Sequence, residues 1–457
     1  MDAKLPDIAM AEHLAGRIVA VDAAKLPAAA RDKCQETLID VTGLCIAARN
    51  EDYVKAAIGG WDEDGPCTAI GHTRALSAAG AAFVNGNAAH GEDFDDTFEG
   101  GPVHAGAVIV PAVLAVAERH AVNGKAALEG IAVGIEIMCR LGLVAPKMVH
   151  KAGFHPTAVF GAMGAAAAVG KALGLDKKQI VDAFGVVGSM ASGLIEYLAE
   201  GTWTKRMHAG WAGQSGMRAA LLARSGFSGP RTVFEGAHGF FHGFANTTKG
   251  DFDAVTGDFG IRWLTQTLAF KLYPCGTMTH PYIDCARRLG ARGIRPDDVA
   301  EMVCDVGEGT VHRLWEPLAA KQTPRNGYAG KFSQPYCIAA GFIRGTVGLS
   351  DFSDAAVSEP AVVALAKKVR YRIDPDNPYP NNFTGHIRAT LRDGSVVEER
   401  QPHMRGGAHE PLTRKDIEDK FLLNARHGGY DAGRAEAALK LASNVFGGRI
   451  DLSALRG

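Results

Sequence analysis

Through the first 265 or so positions, apolar residues recur at three- and four-residue spacing, the repeat of helices that bury one face. Lys125–Leu143 (KAALEGIAVGIEIMCRLGL) shows the repeat plainly. Asp176 followed by Gln179 has the form of a capping box and predicts a helix start ahead of Ile180, Val181, Ala183 and Phe184. The glycine and alanine run Gly161–Gly170 looks like a membrane small-residue seam, but in a chain without spans it predicts closely packed helices. After Lys271 the pattern changes. Val299–Val306 and Val369–Ile373 read as short strands, and His386–Leu391, Asp393-Gly394 and Val396-Val397 read as a hairpin. Helices such as Ala361–Lys368 lie between them, and the Thr413…Asp416 cap returns the chain to helix. The expected fold is mainly α: a large helical body (1–269), a smaller α+β domain (270–405) and a helical C-terminal return (406–457).

Composition narrows the function classes more than it changes this picture. Lys+Arg 49 against Asp+Glu 50 gives a net charge of −1, with no long block of one sign, so neither nucleic acid nor a membrane surface is expected as a partner. Positive charge for an anionic substrate must then be gathered locally. The eight cysteines are scattered without a C-x-x-C, which argues against a disulfide framework or an iron–sulfur cluster and fits a reducing cytoplasm. The N-terminal stretch carries charges throughout and lacks a signal-peptide core. The longest apolar run, Ala105–Ala117, contains Pro111 and is too short to span a bilayer.

Four segments concentrate candidate chemistry. The densest is Asn85–Thr97 (NGNAAHGEDFDDT) with Gly100–His104, which puts His90, Asp93, Asp95, Asp96, Thr97 and His104 beside apolar helix. Such groups are solvated, paired or functional; a polar loop capping the helix after Ala105 is the plain alternative to a site. Asp93–Thr97 also fits the D-x-D-x-T of haloacid-dehalogenase-type phosphatases, but that motif needs a hydrophobic strand before it, and here a Gly/Asn/Ala/His stretch precedes. A metal on His90, Asp93 and Asp95 lacks any supporting histidine pair, and none is expected. Gly-rich phosphate-binding motifs are absent.

In the second segment, Pro156 in the first helical position places His155 at the N-cap, where a carboxylate lands readily and a histidine stays neutral. The third, Trp203–His208, carries Lys205, and the fourth, Phe270–Pro281, carries Lys271, Tyr273, Cys275 and His280. Each sets a lysine among hydroxyl, aromatic and histidine neighbours. Alone, either lysine reads as a surface residue, although Lys271 falls at the expected domain seam, where small-molecule clefts are common.

Taken in order, these segments resemble the MmgE/PrpD family. NGNAAHGEDFDDTFEGGPVHAGAVIVPAVLAVAE is similar to its "NG…AH…DFDDT…H" loop and following helix, and GFHPTAVFGAMGAAAAVGKALGLD to its "GFHPT…LGL" segment. Lys205-Arg-Met-His-Ala-Gly, Gly226-Phe-Ser-Gly-Pro, Lys271-Leu-Tyr-Pro-Cys with Thr279-His280-Pro281, and Lys331-Phe-Ser continue in register, from about residue 10 to about 425. The resemblance implies a helical body with an α+β lid, usually a homodimer, and catalysis without metal or organic cofactor. It implies 2-methylcitrate dehydratase, cis-aconitate decarboxylase or iminodisuccinate epimerase chemistry. In the decarboxylase branch, positions matching Asp93, Thr97, His104, His155, Lys205 and Lys271 line the active site, and all six residue types are present. That branch also carries a histidine where this chain has Gly276, and a tyrosine near the His312 region; the first departure counts against decarboxylation.

The three reactions share one difficulty, the charge built up when a carbon beside a carboxylate loses a proton or carbon dioxide. Fixed cations and a base of near-neutral pKa answer it. The expected function is therefore a cofactor-independent lyase of the dehydratase type on a small di- or tricarboxylic acid, with epimerisation and decarboxylation as alternatives. A carboxylate-binding protein without turnover is the reading from another class. Asp93, His104, His155, Lys205 and Lys271 are the expected catalytic residues, and Thr97, His90, Tyr273 and His280 the expected substrate contacts.

Overall fold

In a computed structural model of the chain, which describes residues 6–101 and 103–457, helices open at the capping residues. Asp176 accepts from the Gln179 N–H at 2.9 Å while the Gln179 side chain accepts from the Asp176 N–H, and helix Lys177–Gly188 follows. Thr413 and Asp416 make the same reciprocal pair ahead of Arg414–His427. Helix Gly124–Val144 covers the apolar repeat read above, and Pro156 opens Pro156–Ala172. The first five residues of the charged N-terminal stretch, and Pro102 of the polar cluster, lie outside the described residues. Among the described residues there are twenty-two α-helices and only small sheets, so the chain is mainly α, as its periodicity predicts.

The chain forms two compact units. The first comprises Met1–Gly91, Asp95–Leu268 and Thr413–Gly457. Its centre is Pro156–Ala172, which packs along Gly124–Val144 and Thr204–Arg224; the last of these also packs on Ala78–Gly91. Small residues set the spacing. A Cβ on Gly164 would lie 2.5 Å from Met138 Cγ, so the Gly161–Gly170 run is a helix–helix contact inside the core. A Cβ on Gly86 would lie 2.5 Å from Gly210 Cα, and one on Gly210 would lie 2.1 Å from the Phe83 carbonyl oxygen. These two helices therefore cross backbone on backbone. Helix Ala28–Ala47 packs on the C-terminal helix Arg414–His427, where the buried Lys420 Nζ lies 2.7 Å from Asp40.

One expectation fails here. Asn85–His90 is not loop but the last turns of helix Ala78–Gly91. Tertiary contacts outweigh the poor helix propensity of Asn and Gly. Asn85 Oδ1 accepts from the Ile70 N–H at 2.9 Å and its Nδ2 donates to the Thr68 carbonyl at 2.9 Å. The same helix also removes the phosphatase reading, since a helix and not a strand precedes Asp93.

The second unit takes Glu92–Phe94 and Ala269–Leu412. A four-stranded sheet runs in the order Val369–Ile373, Val299–Val306, Gly385–Leu391, Val396–Gln401; the first pair is parallel and the others antiparallel. Met302, Cys304, Ile387 and Ala389 face its core, with helices His280–Ala291 and Gln334–Arg344 packed together. No helix among the described residues is long and apolar enough to cross a membrane.

Candidate active site

Where helix Ala78–Gly91 ends, His90 is buried in the first unit, and its Nδ1 lies 2.6 Å from Asp95 Oδ2. Both side chains are wholly inaccessible. Two more imidazoles flank it: the His104 ring at 5.1 Å between centroids and the His155 ring at 5.6 Å, the latter stacked at 26°. His155 in turn lies 5.2 Å from His208, with 3.1 Å between their Nδ1 atoms. Tyr197 stands edge-on to both. The first unit thus gathers four imidazoles from three separate segments read in the sequence.

Local structure explains how they are held. His155 is the N-cap residue of Pro156–Ala172, and its own N–H donates to the Gly193 carbonyl at 2.8 Å. Gly193, at φ +132°, is confined by its neighbours: a Cβ there would lie 2.5 Å from Ala158 Cβ and 3.5 Å from His208. The His104 N–H donates to the Thr157 hydroxyl, and its Nδ1 lies 2.7 Å from the Asp96 carbonyl oxygen. Asp96 accepts from the N–H groups of Ala105 and Gly106 at the start of helix Gly106–His120. The capping alternative and the clustering of candidate residues are therefore both true of this segment. Thr97 follows on the short buried strand Thr97–Phe98.

Burial governs the electrostatics. It holds His155 well below the ordinary histidine range, helped by His90, His208, Lys205 and His104, so the ring is neutral. Burial first, then His90 and Lys205, lowers His208 to about 4. Asp96 is pushed up to about 8 by burial and by the Asp95 and Asp40 carboxylates, against its two backbone donors. Lys205, in the first turn of Thr204–Arg224, is buried, which removes the surface-lysine reading. Among the described residues no three His, Cys, Asp or Glu side chains are arranged to hold a metal ion.

The second unit holds the other candidates. Buried Lys271 donates from Nζ to the Asp93 carbonyl at 2.9 Å, and Lys331 donates to the Glu92 carbonyl and carboxylate, each at 2.7 Å. Two ammonium groups thus grip consecutive carbonyls of a turn in which Asp93 adopts φ +54°, a strained conformation for a side-chain-bearing residue. The Tyr273 hydroxyl donates to Asp284 at 2.7 Å and receives Arg287 at 2.8 Å. His280, fully buried, stands edge-on to Tyr273 at 5.1 Å. Cys275 Sγ lies 2.9 Å from the Thr279 hydroxyl. A Cβ on Gly276 would meet nothing nearer than 3.5 Å, so the position has room for a side chain.

Sequence reasoning gave no catalytic or substrate-binding role to Asp95, His208, Lys331 or Glu92, although Asp95 and His208 lie in the segments it singled out. His208 carried a faint signal, three residues after Lys205 near a helix start. Lys331 and Glu92 are 239 positions apart and carried none.

Residues 12–253 match the MmgE/PrpD N-terminal domain, and 273–444 the MmgE/PrpD C-terminal domain. The chain belongs to the MmgE/PrpD family. Within it, the cis-aconitate decarboxylase of Mus musculus is 33% identical over 356 residues, 76% of this chain and 71% of the relative. The Homo sapiens cis-aconitate decarboxylase is 31% identical over 360 residues, 76% and 72%. The mitochondrial 2-methylcitrate dehydratase of Yarrowia lipolytica is 25% identical over 361 residues, 73% and 66%. These MmgE/PrpD relatives are enzymes.

Proposed function

We propose that this chain is a lyase of the dehydratase type, acting on a small di- or tricarboxylic acid by moving the proton beside a carboxylate, without a cofactor. The observation that carries the reading is the buried imidazole stack, in which His155 is held neutral and able to accept a proton. His155 or His104 takes the proton, and Lys205 and Lys271 pair with substrate carboxylates as charge-assisted partners. Asp93 orients a histidine or acts as acid. Thr97, His90, His280 and the Tyr273 ring contact substrate. Buried cations suit the negative charge that develops on the carboxylate.

Decarboxylation of a cis-aconitate-type acid is the second reading, favoured by the identity to the mouse and human decarboxylases. Gly276, where that branch carries histidine, weighs against it. Nuclear magnetic resonance of 2-methylcitrate, citrate and cis-aconitate with enzyme in deuterium oxide separates the outcomes. Exchange with loss or gain of water supports the dehydratase; release of carbon dioxide supports the second reading; inversion without water loss indicates an epimerase. An enzyme that neither exchanges nor turns over any of these acids overturns the proposal. The same family reading carries a homodimer of the cytoplasm, and light scattering that finds a monomer at micromolar concentration overturns that part.

A further inference from the structure

The tautomers of the imidazole stack follow from what faces each Nδ1. A main-chain carbonyl only accepts, so His104 Nδ1, 2.7 Å from the Asp96 oxygen, carries the hydrogen. Buried Asp95, with Oδ2 2.6 Å from His90 Nδ1, likewise accepts from His90. The Nε2 of His90 is then the bare, basic nitrogen. It is buried, and no group among the described residues hydrogen-bonds it. His155 differs, because its Nδ1 faces another imidazole, His208, and the two share one hydrogen. Among the described residues Asp95 sits within hydrogen-bond distance of His90 Nδ1, at 2.6 Å, and reaches His104 Nδ1 only at 3.9 Å, outside that range. A carboxylate stabilises positive charge on the ring when a proton arrives; a carbonyl does so less, and a second imidazole opposes it.

We propose that His90 Nε2, rather than His155, is the atom that carries the substrate proton, and that Asp95 is its positioning residue. The inference rests on the lyase reading above and moves its proton-accepting role from His155 or His104 to His90. In the dehydration direction the C–H bond beside the carboxylate breaks, its proton goes to His90 Nε2 and its electron pair to the carboxylate-stabilised carbanion. The C–O bond then breaks as the carbanion's electron pair forms the C=C bond, and the departing hydroxide takes the proton from His90 Nε2 and leaves as water, which restores the neutral ring. The His104 and His155 rings, packed on either side, wall the His90 ring off from solvent and hold its plane.

Two measurements test this. Nitrogen NMR of the isotope-labelled histidines in the free enzyme, with the His90 signal assigned by its loss in His90→Gln, should show hydrogen on Nδ1. Asp95→Asn should move that hydrogen to Nε2, because the amide can turn its NH2 toward the ring. In turnover, Asp95→Asn and His90→Gln should each lower kcat by about a hundred- to ten-thousand-fold with KM nearly unchanged. The double variant should be no worse than His90→Gln alone, because the two act as a unit. Asp95→Glu, which keeps the carboxylate, should recover part of kcat. A merely structural Asp95 would lower stability and raise KM without moving the tautomer. Hydrogen on Nε2 in the unaltered enzyme, or an Asp95→Asn enzyme that turns over within about threefold of it, overturns the assignment. An unaltered enzyme inert toward every acid overturns the lyase reading instead, and the tautomer measurement still decides whether Asp95 sets His90.

Discussion

In the first unit four imidazoles stack within ring-to-ring distances of 5.1 to 5.6 Å, and burial keeps His155 and His208 neutral. In the second, two buried ammonium groups each hold a main-chain carbonyl, Lys271 that of Asp93 and Lys331 that of Glu92. One unit gathers imidazoles that burial keeps uncharged; the other buries ammonium groups against main-chain carbonyls. A neutral imidazole is cheap to bury and leaves a nitrogen open for chemistry. An ammonium group is costly to bury, so it is found with acceptors around it, and it ties down the chain that supplies them. The same residues that could answer a substrate carboxylate therefore also hold a strained turn.

The largest expected effects test that division. Lys271→Ala should lower turnover by about a hundred- to ten-thousand-fold and His155→Ala by less, since it removes only a ring packed on His90, and only Lys271→Ala should also lower the melting temperature, since it takes a donor from a buried carbonyl. Equal stability loss in both variants breaks the comparison. Next, Lys331→Met leaves the Glu92 carboxylate without its ion-pair partner and should cost about 3 kcal/mol in denaturant unfolding, with Glu92→Gln in the same chain recovering part of it. Additive losses in that cycle would show that the pair does not act together.

Acid comes third. A histidine whose pKa is lowered on folding binds fewer protons folded than unfolded, so stability is lost as pH falls through the unfolded value toward the folded one. For His208 that window runs from 6.5 down to about 4. Between about pH 7 and about pH 5 it should cost the protein roughly 2 kcal/mol, visible as a falling melting temperature that is flatter in His208→Gln. The smallest effects belong to the second unit. Tyr273→Phe should change turnover less than about tenfold, because Asp284 and Arg287 already engage the hydroxyl. Gly276→His tests the reaction itself: with space for a Cβ there, carbon dioxide release from cis-aconitate should rise if that imidazole is what the decarboxylase branch adds.

Local rules made much of the fold legible. Pro156 opened its helix, Asp176 and Thr413 capped theirs, and Val299–Val306 and Val369–Ile373 are strands over the stretches that alternation marked. Those signals depend on neighbours in sequence. The polar segment at Asn85 misled because its helix is held by contacts to Thr68 and Ile70, which no local propensity encodes. The candidate site was legible as residue types: all four stacked imidazoles lie in segments singled out for their chemistry. Its wiring was not. That Asp95 backs His90 while a main-chain carbonyl backs His104 depends on where one turn places its atoms, and that His208 meets His155 depends on helices 53 residues apart.

The crossing at Gly86 and Gly210 bears on how this machinery tolerates change. His90 closes one of the two helices, and Lys205 and His208 open the other. With backbone resting on backbone, the gap between them is fixed by the thickness of the polypeptide itself, as a gauge block fixes a dimension, rather than by rotamers that can relax. Substitutions can accumulate around the stack and change its surroundings, while the spacing of the two helices stays at one value. A single methyl at either glycine would reset that dimension for every reaction the scaffold supports.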